Sequence, residues 1–387
     1  MVLLYQVALI ALSCAHICNG AAIKKKSNKF VQFEFDVTRN DGPITIDKRG
    51  YVSSSLRNEK TYYGIELELG SSKAKNNVLF DTGSSDLWVI DKQADCVEVE
   101  CKQYGTYSLQ DSTTGEDLNE AFSIHYADDS SANGTFVKDT VTIGNISVQS
   151  QQFAVANSSS SDVGVLGIGF TQLERTKDHS TYDNLPITLK KQGFIGKVAY
   201  SLYLNSPSSK KGSILFGGVD HAKYHGELID VPIVSNDSLD IGLESVAVNG
   251  HTIQTSTSLL LDLGTTWSYL PENVIKAIAI QIKGKFVDSL GAYVADCHHQ
   301  YVNLTFNFAN NAKVEAPISS FLVPITTFEN SKRSSSDNCV LAIFDDYGSS
   351  TLGDNFLQNA YMKYDLEERK VGIATVKYTN ESSIEEL

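Results

Sequence analysis

Val78-Leu79-Phe80-Asp81-Thr82-Gly83-Ser84-Ser85-Asp86-Leu87-Trp88-Val89 carries a carboxylate, a hydroxyl and a glycine out of one apolar run and into another. Far downstream, Leu259-Leu260-Leu261-Asp262-Leu263-Gly264-Thr265-Thr266 does nearly the same. The two aspartates are 181 positions apart, so only folding brings them together. Each is followed by a Leu-Gly unit. Gly167 stands 86 positions after Asp81, in Val165-Leu166-Gly167-Ile168-Gly169, and Gly353 stands 91 after Asp262, in Leu352-Gly353-Asp354. One Asp-Thr-Gly makes an ordinary turn. Two copies with matched companions are an internal duplication of long period.

The surroundings read as strands. Residues 61–70 alternate in polarity, 77–91 give strand, turn and strand, and 122–142 form a hairpin with its tip at 127–133. Short helices are expected at 185–192 and from Pro271 to about Lys283, with proline in the first turn. Ser206-Pro207-Ser208-Ser209-Lys210-Lys211-Gly212 reads as a connection between lobes. Few helices, 27 glycines and many short strands predict an all-β, two-lobed fold.

Chemistry follows from the doubled turn. Two carboxylates held side by side do not both ionise easily, so the pair shares a proton. It then contains a base that deprotonates an attacking water and an acid that protonates a peptide carbonyl oxygen. No metal, cofactor or covalent intermediate is needed. Gly83 and Gly264 leave room for close backbone approach, and Ser84 and Thr265 are placed to orient the carboxylates.

The whole chain sets limits. Its 387 residues suffice for two cores, and 42% hydrophobic content makes it globular. A net charge of −14 argues against a nucleic-acid partner. Residues 1–20 read as a signal peptide: an apolar run from Val2 to Leu12, broken only by Gln6, precedes the small residues Gly20, Ala21 and Ala22. Cys14 and Cys18 leave with it. Cys96, Cys101, Cys297 and Cys339 remain, an even set that in a secreted chain reads as two disulfides. Of three pairings, the sequence-close one, Cys96–Cys101 with Cys297–Cys339, is the simplest. Sequons at Asn133, Asn145, Asn157, Asn236, Asn303 and Asn380 are compatible with glycosylation.

Residues 21–49 are basic and end in Lys48-Arg49. Over residues 1–49, seven Lys/Arg oppose four Asp/Glu, a balance of +3 that leaves −17 for the rest. This reads as a propeptide cut after Arg49 by a kexin-like protease. It is expected to inhibit by docking Lys24 to Lys26, or Lys29, in the cleft. Residues 50–205 would be the N-terminal lobe and 206–387 the C-terminal lobe.

The quoted motifs closely resemble the pepsin-like aspartic proteases. Phe216-Gly217-Gly218-Val219-Asp220 and the ending Lys377-Tyr378-Thr379-Asn380 look most like the secreted candidapepsins of Candida-type yeasts. The resemblance spans about Gly50 to the C-terminus. It implies a cleft between two β lobes, cleavage of protein or peptide substrates at acid pH, apolar preference and sensitivity to pepstatin-type inhibitors. Asp81 and Asp262 match the catalytic pair. Tyr126 matches the tyrosine of the flap that closes over substrate, and Trp88 the tryptophan behind it. Ala127 and Asp128 fall at flap positions near substrate, and Gly83, Ser84, Gly264, Thr265 and Thr266 along the cleft floor. A secreted monomer without a membrane anchor is expected.

Three departures stand out. Leu263 replaces the family's Ser or Thr, whose hydroxyl and that of Thr82 would brace the two loops by each reaching across to the other's backbone. Ala127 and Asp129 replace flap glycines, which predicts a stiffer flap. Asn133, a sequon, lies close to that flap. These departures support a rival reading, a non-catalytic homologue that binds peptides or a surface partner. Other constellations carry less. His221-x-x-x-His225 lacks a glutamate at Ala222, so no metal site is expected. His298 and His299 read as surface histidines. Gly164-x-x-Gly167-x-Gly169 has no P-loop lysine, so its glycines are structural.

Overall fold

The computed structural model describes residues 29–39, 61–126, 128–299, 301–328 and 337–387. The signal segment, Lys24 to Lys26, Lys48, Arg49 and Ala127 lie outside the described residues. Strands dominate; the described α-helices are Leu185–Lys191, Glu272–Gln281 and Asp354–Leu357. Pro271 caps the second of these rather than opening its first turn. The third has no counterpart in the sequence reading.

The duplication is visible in strand pairing. Ala74–Asp81 runs parallel to Val165–Gly167, which pairs antiparallel with Leu87–Cys96. In the second half His251–Leu261 runs parallel to Ser350–Leu352, which pairs antiparallel with Ser268–Leu270. The Leu-Gly units are therefore the parallel partners of the aspartate strands. Ile168 N–H donates to the Asp81 carbonyl at 3.0 Å, and Asp262 N–H to the Leu352 carbonyl at 3.1 Å. A Cβ on Gly167 would fall 2.5 Å from Ser85 N, and one on Gly353 would collide with the Thr265 carbonyl. Packing thus demands the glycine of each Leu-Gly unit.

A 13-stranded sheet joins the two halves. Its centre alternates between chain regions, with Ala199–Tyr203 between Ala360–Asp365 and Lys211–Phe216. The next strand is Val31–Arg39, from the basic leader. It pairs with Lys211–Phe216 on one side and Thr61–Leu69 on the other. Phe33, Phe35 and Val37 point inward and are buried, as period-two alternation requires. Lys29 donates its amine to the Gly193 carbonyl at 2.9 Å. It therefore contacts the end of a helix and not the aspartates, contrary to the expected docking of Lys29 in the cleft.

One core runs through both halves, and smaller clusters form around Trp88, Phe122 and Phe136 and around Trp267 and Phe344. Cys96 is bonded to Cys101 and Cys297 to Cys339. All six sequon asparagines are exposed. No described helix is long and apolar enough to cross a membrane.

Candidate active site

Each aspartate stands just where an apolar strand gives way to a turn. Asp81 ends the strand Ala74–Asp81, and Asp262 follows the strand His251–Leu261. Buried Leu79, Phe80, Leu259 and Leu261 fix the strand ends in the core, and the turns carry the carboxylates toward one another. The glycines record how close they come. A Cβ on Gly83 would sit 2.9 Å from Asp262 Oδ1 and 3.2 Å from Asp81 Oδ1. A Cβ on Gly264 would sit 2.8 Å from Asp81 Oδ1 and 3.2 Å from Asp262 Oδ1. Both Oδ1 atoms thus face the same gap, and only glycine leaves it open.

Each carboxylate is held alike. Gly83 N–H donates to Asp81 Oδ1 at 2.7 Å and Gly264 N–H to Asp262 Oδ1 at 2.9 Å. Ser84 Oγ donates to Asp81 Oδ2, and Thr265 Oγ1 to Asp262 Oδ2 at 2.6 Å. Asp81 is buried, and burial pushes its carboxyl up to about 7, with the facing Asp262 charge acting the same way. The pair is set to hold one shared proton in acid. Thr266, expected along the floor, is buried, and its hydroxyl donates to the Thr61 carbonyl at 3.3 Å.

The brace between loops is one-sided. Thr82 Oγ1 donates to the Leu261 carbonyl at 2.8 Å and accepts the Leu263 N–H at 3.0 Å. Leu263 offers no hydroxyl in return, and its side chain joins the main core.

The hairpin expected to form the flap is Glu116–His125 with Ser131–Ile143, so Tyr126 and residues 128–130 lie between its strands and Ser131 to Asn133 belong to the strand, not the tip. Trp88 Nε1 donates to the Tyr126 hydroxyl at 2.7 Å. Asp128 caps the turn, accepting from Ser130 N–H at 2.9 Å and Ser130 Oγ at 2.6 Å. Asp129 takes φ +67°, a left-handed conformation that glycine adopts freely and aspartate at a cost of about 1 kcal/mol. Asn133 accepts from Ser123 Oγ at 2.8 Å on the exposed face. His221 has both ring nitrogens occupied, by Tyr224 Oη at 2.6 Å and Glu385 at 2.8 Å.

Two groups give no signal as site residues in the sequence. Beneath the aspartates, Tyr200 and Tyr364 are cross-strand partners, fully buried, with rings stacked 5.0 Å apart. The Tyr364 hydroxyl donates to the Met362 sulfur at 3.4 Å, and its ionisation is opposed by burial and then by Asp262. Both tyrosines sit in short strands buried along almost their whole length, which hides them. Beside the first motif, Asp86 accepts from the Tyr182 hydroxyl at 2.7 Å and from Arg175 N–H at 3.0 Å, and Glu174 accepts Tyr182 N–H at 2.7 Å. Of this second group only Asp86, inside the quoted motif, could have been picked out as a candidate.

Fold and site together define a bilobal carboxylate-pair hydrolase of the pepsin type. Comparison with known proteins agrees. The eukaryotic aspartyl protease family profile matches residues 62–376, and the chain belongs to that family. It is 44% identical over 382 residues to secreted aspartic protease 5 of Candida albicans, covering 93% of this chain and 88% of the relative. It is 40% identical over 409 residues to secreted aspartic protease 8 of the same yeast, covering 98% and 97%. Candidapepsin-4 of Candida albicans is 44% identical, covering 90% and 84%.

Proposed function

We propose that the protein is a secreted aspartic endopeptidase in which Asp81 and Asp262 are the catalytic pair. The observation that carries this reading is the interleaving of the two turns: each motif glycine lies within contact of the other motif's carboxylate. The ionised half takes a proton from a water as it attacks a peptide carbonyl. The protonated half gives its proton to the carbonyl oxygen, and the amide nitrogen is protonated as the bond breaks. Two aspartates sharing one proton are the known chemistry of aspartic proteases as a class, and that precedent is applied to this pair. Tyr126, Ala127 and Asp128 close over the substrate, Gly83, Ser84, Gly264, Thr265 and Thr266 form and brace the floor, and apolar residues flank the cut.

Residues 1–20 are the signal peptide and 21–49 an inhibitory propeptide cut after Arg49 by a kexin-like protease. Residues 50–205 and 206–387 are the two lobes of a mature monomer. The non-catalytic alternative draws only on Leu263 and the flap, and the full set of donors around both carboxylates speaks against it. The test is cleavage of a denatured protein at acid pH by precursor processed after Arg49. Pepstatin-sensitive cleavage that vanishes in Asp81→Asn and in Asp262→Asn is expected. A folded, processed protein without activity overturns the proposal.

A further inference from the structure

The flap's strand Glu116–His125 is an edge of the long sheet, and edges invite partners. Here a segment of the same chain covers it, through a bridge between Phe122 and Thr176. The segment alternates: Glu174 and Thr176 are buried, while Arg175, Lys177 and His179 are exposed. Asp86 anchors it at Arg175 N–H, and the Thr176 hydroxyl donates to the Ser180 carbonyl at 2.5 Å. Between strand and segment lies a cavity of about 230 Å³, lined by Phe122, Ser123, Arg175, Thr176, Lys177 and His179. That volume is below the range for cofactors and drug-sized ligands, and suits one side chain.

Its walls reverse the character of a protein with net charge −14. Arg175, Lys177 and His179 form no salt bridge among the described residues. Of the nearby acids, Asp178 turns its carboxylate onto Ser180 N–H at 3.0 Å. Glu174 also lines the cavity, but burial pushes its carboxyl up to about 8, so it is neutral in acid. Two links, one along the chain and one through a hydrogen bond, lead from the cavity toward the aspartate pair. Phe122 stands four residues before Tyr126 on the flap strand, and Asp86, which holds Arg175, belongs to the motif of Asp81.

We infer that this cavity is a specificity site for an acidic substrate side chain, with Arg175, Lys177 and His179 as its cationic wall. The inference rests on the protease reading and adds to its apolar preference one charged position near the cut. The experiment uses the processed enzyme and paired peptides that share a cleavage site, with Glu or Gln scanned through each flanking position. Assays run at about pH 5, where a peptide Glu is mostly ionised. One position is expected to favour Glu about tenfold in kcat/KM. The preference should shrink in high salt, as exposed charge pairs do, and fall toward unity in Arg175→Gln/Lys177→Gln. Peptides cleaved without a Glu-over-Gln preference at any position overturn the inference alone, as does a preference that both salt and the double variant leave intact. No cleavage of any peptide overturns the protease reading, and this inference with it.

Discussion

The hydroxyl of Thr82 accepts the backbone N–H of Leu263 at 3.0 Å while donating to the Leu261 carbonyl at 2.8 Å. One side chain thus ties the second aspartate's loop to the first from both sides of Asp262. Thr82→Val keeps the shape and removes both bonds, each worth about 0.5–1.5 kcal/mol. A displacement of about 1 Å at the pair costs on the order of 100-fold in rate. We expect kcat to fall about that far. Leu263→Thr is expected to behave differently. It removes a buried apolar side chain and lowers stability by about 1–3 kcal/mol, yet keeps the Leu263 N–H bond and reduces kcat less than Thr82→Val. Urea unfolding and steady-state kinetics on both variants check the contrast.

Tyr364 lies next to Thr82. Its hydroxyl donates to the Met362 sulfur at 3.4 Å, a weak acceptor, while the one Thr82 proton goes to the Leu261 carbonyl. Tyr364→Phe keeps the ring stacked on Tyr200 and removes the polar atom beside Thr82. The expected effect is a kcat loss of about three- to tenfold with KM unchanged. Tyr200→Phe, whose hydroxyl lacks a partner in its buried site, should leave kcat closer to the parent. Equal effects of the two would place Tyr364 among ordinary core residues.

Burial raises four carboxyls in the N-terminal half: Asp128, and more strongly Asp81 to about 7, Asp86 to about 6 and Glu174 to about 8. In each case the folded group holds its proton to higher pH than the unfolded one. Below the unfolded values near 4 their contribution is fully present, and it is lost as pH rises through the folded values. Stability should therefore decline from about pH 4 to about pH 8, and activity should fade as the shared proton leaves near pH 7. Glu174→Gln cannot ionise. Its melting temperature is expected to match the parent in acid and to exceed it by roughly 2–4 °C above pH 8, measured by calorimetry across pH.

Much of this is legible in the sequence because the site is local twice over. Asp81, Gly83 and Ser84, and Asp262, Gly264 and Thr265, are contiguous, so each half-site can be read without knowing the fold. The matched Leu-Gly units disclose the pairing of the halves, and the sequence-close disulfides need only a simple choice. Tyr364, Tyr200 and the Asp86–Glu174–Tyr182 group depend on long-range registers that periodicity does not encode. The flap turn lies a few residues from its expected place because the polar Ser131 and Asn133 flank a buried Ala132 and all three pair as strand. Charge alone points Lys29 at the cleft, and the alternation of Phe33, Phe35 and Val37 just after it is the better signal.

That alternation makes the leader a structural member of the fold. Phe35 is 1% exposed, and its ring meets Tyr63 edge-on at 5.4 Å and Phe80, the neighbour of Asp81, at 5.9 Å. Truncating a buried phenylalanine costs about 3–5 kcal/mol. Phe35→Ala should therefore lower the precursor's melting temperature and its secreted yield. Cutting after Arg49 does not by itself break the ten residue pairs that hold Val31–Arg39 between its neighbours. The cleaved leader is expected to remain associated at neutral pH and to co-elute with the body in gel filtration. Lys29→Ala removes one exposed hydrogen bond and should barely loosen it, whereas Phe35→Ala should release it. A leader that dissociates at once after cleavage, or that leaves faster in Lys29→Ala than in Phe35→Ala, would show that charge and not the buried strand face holds it.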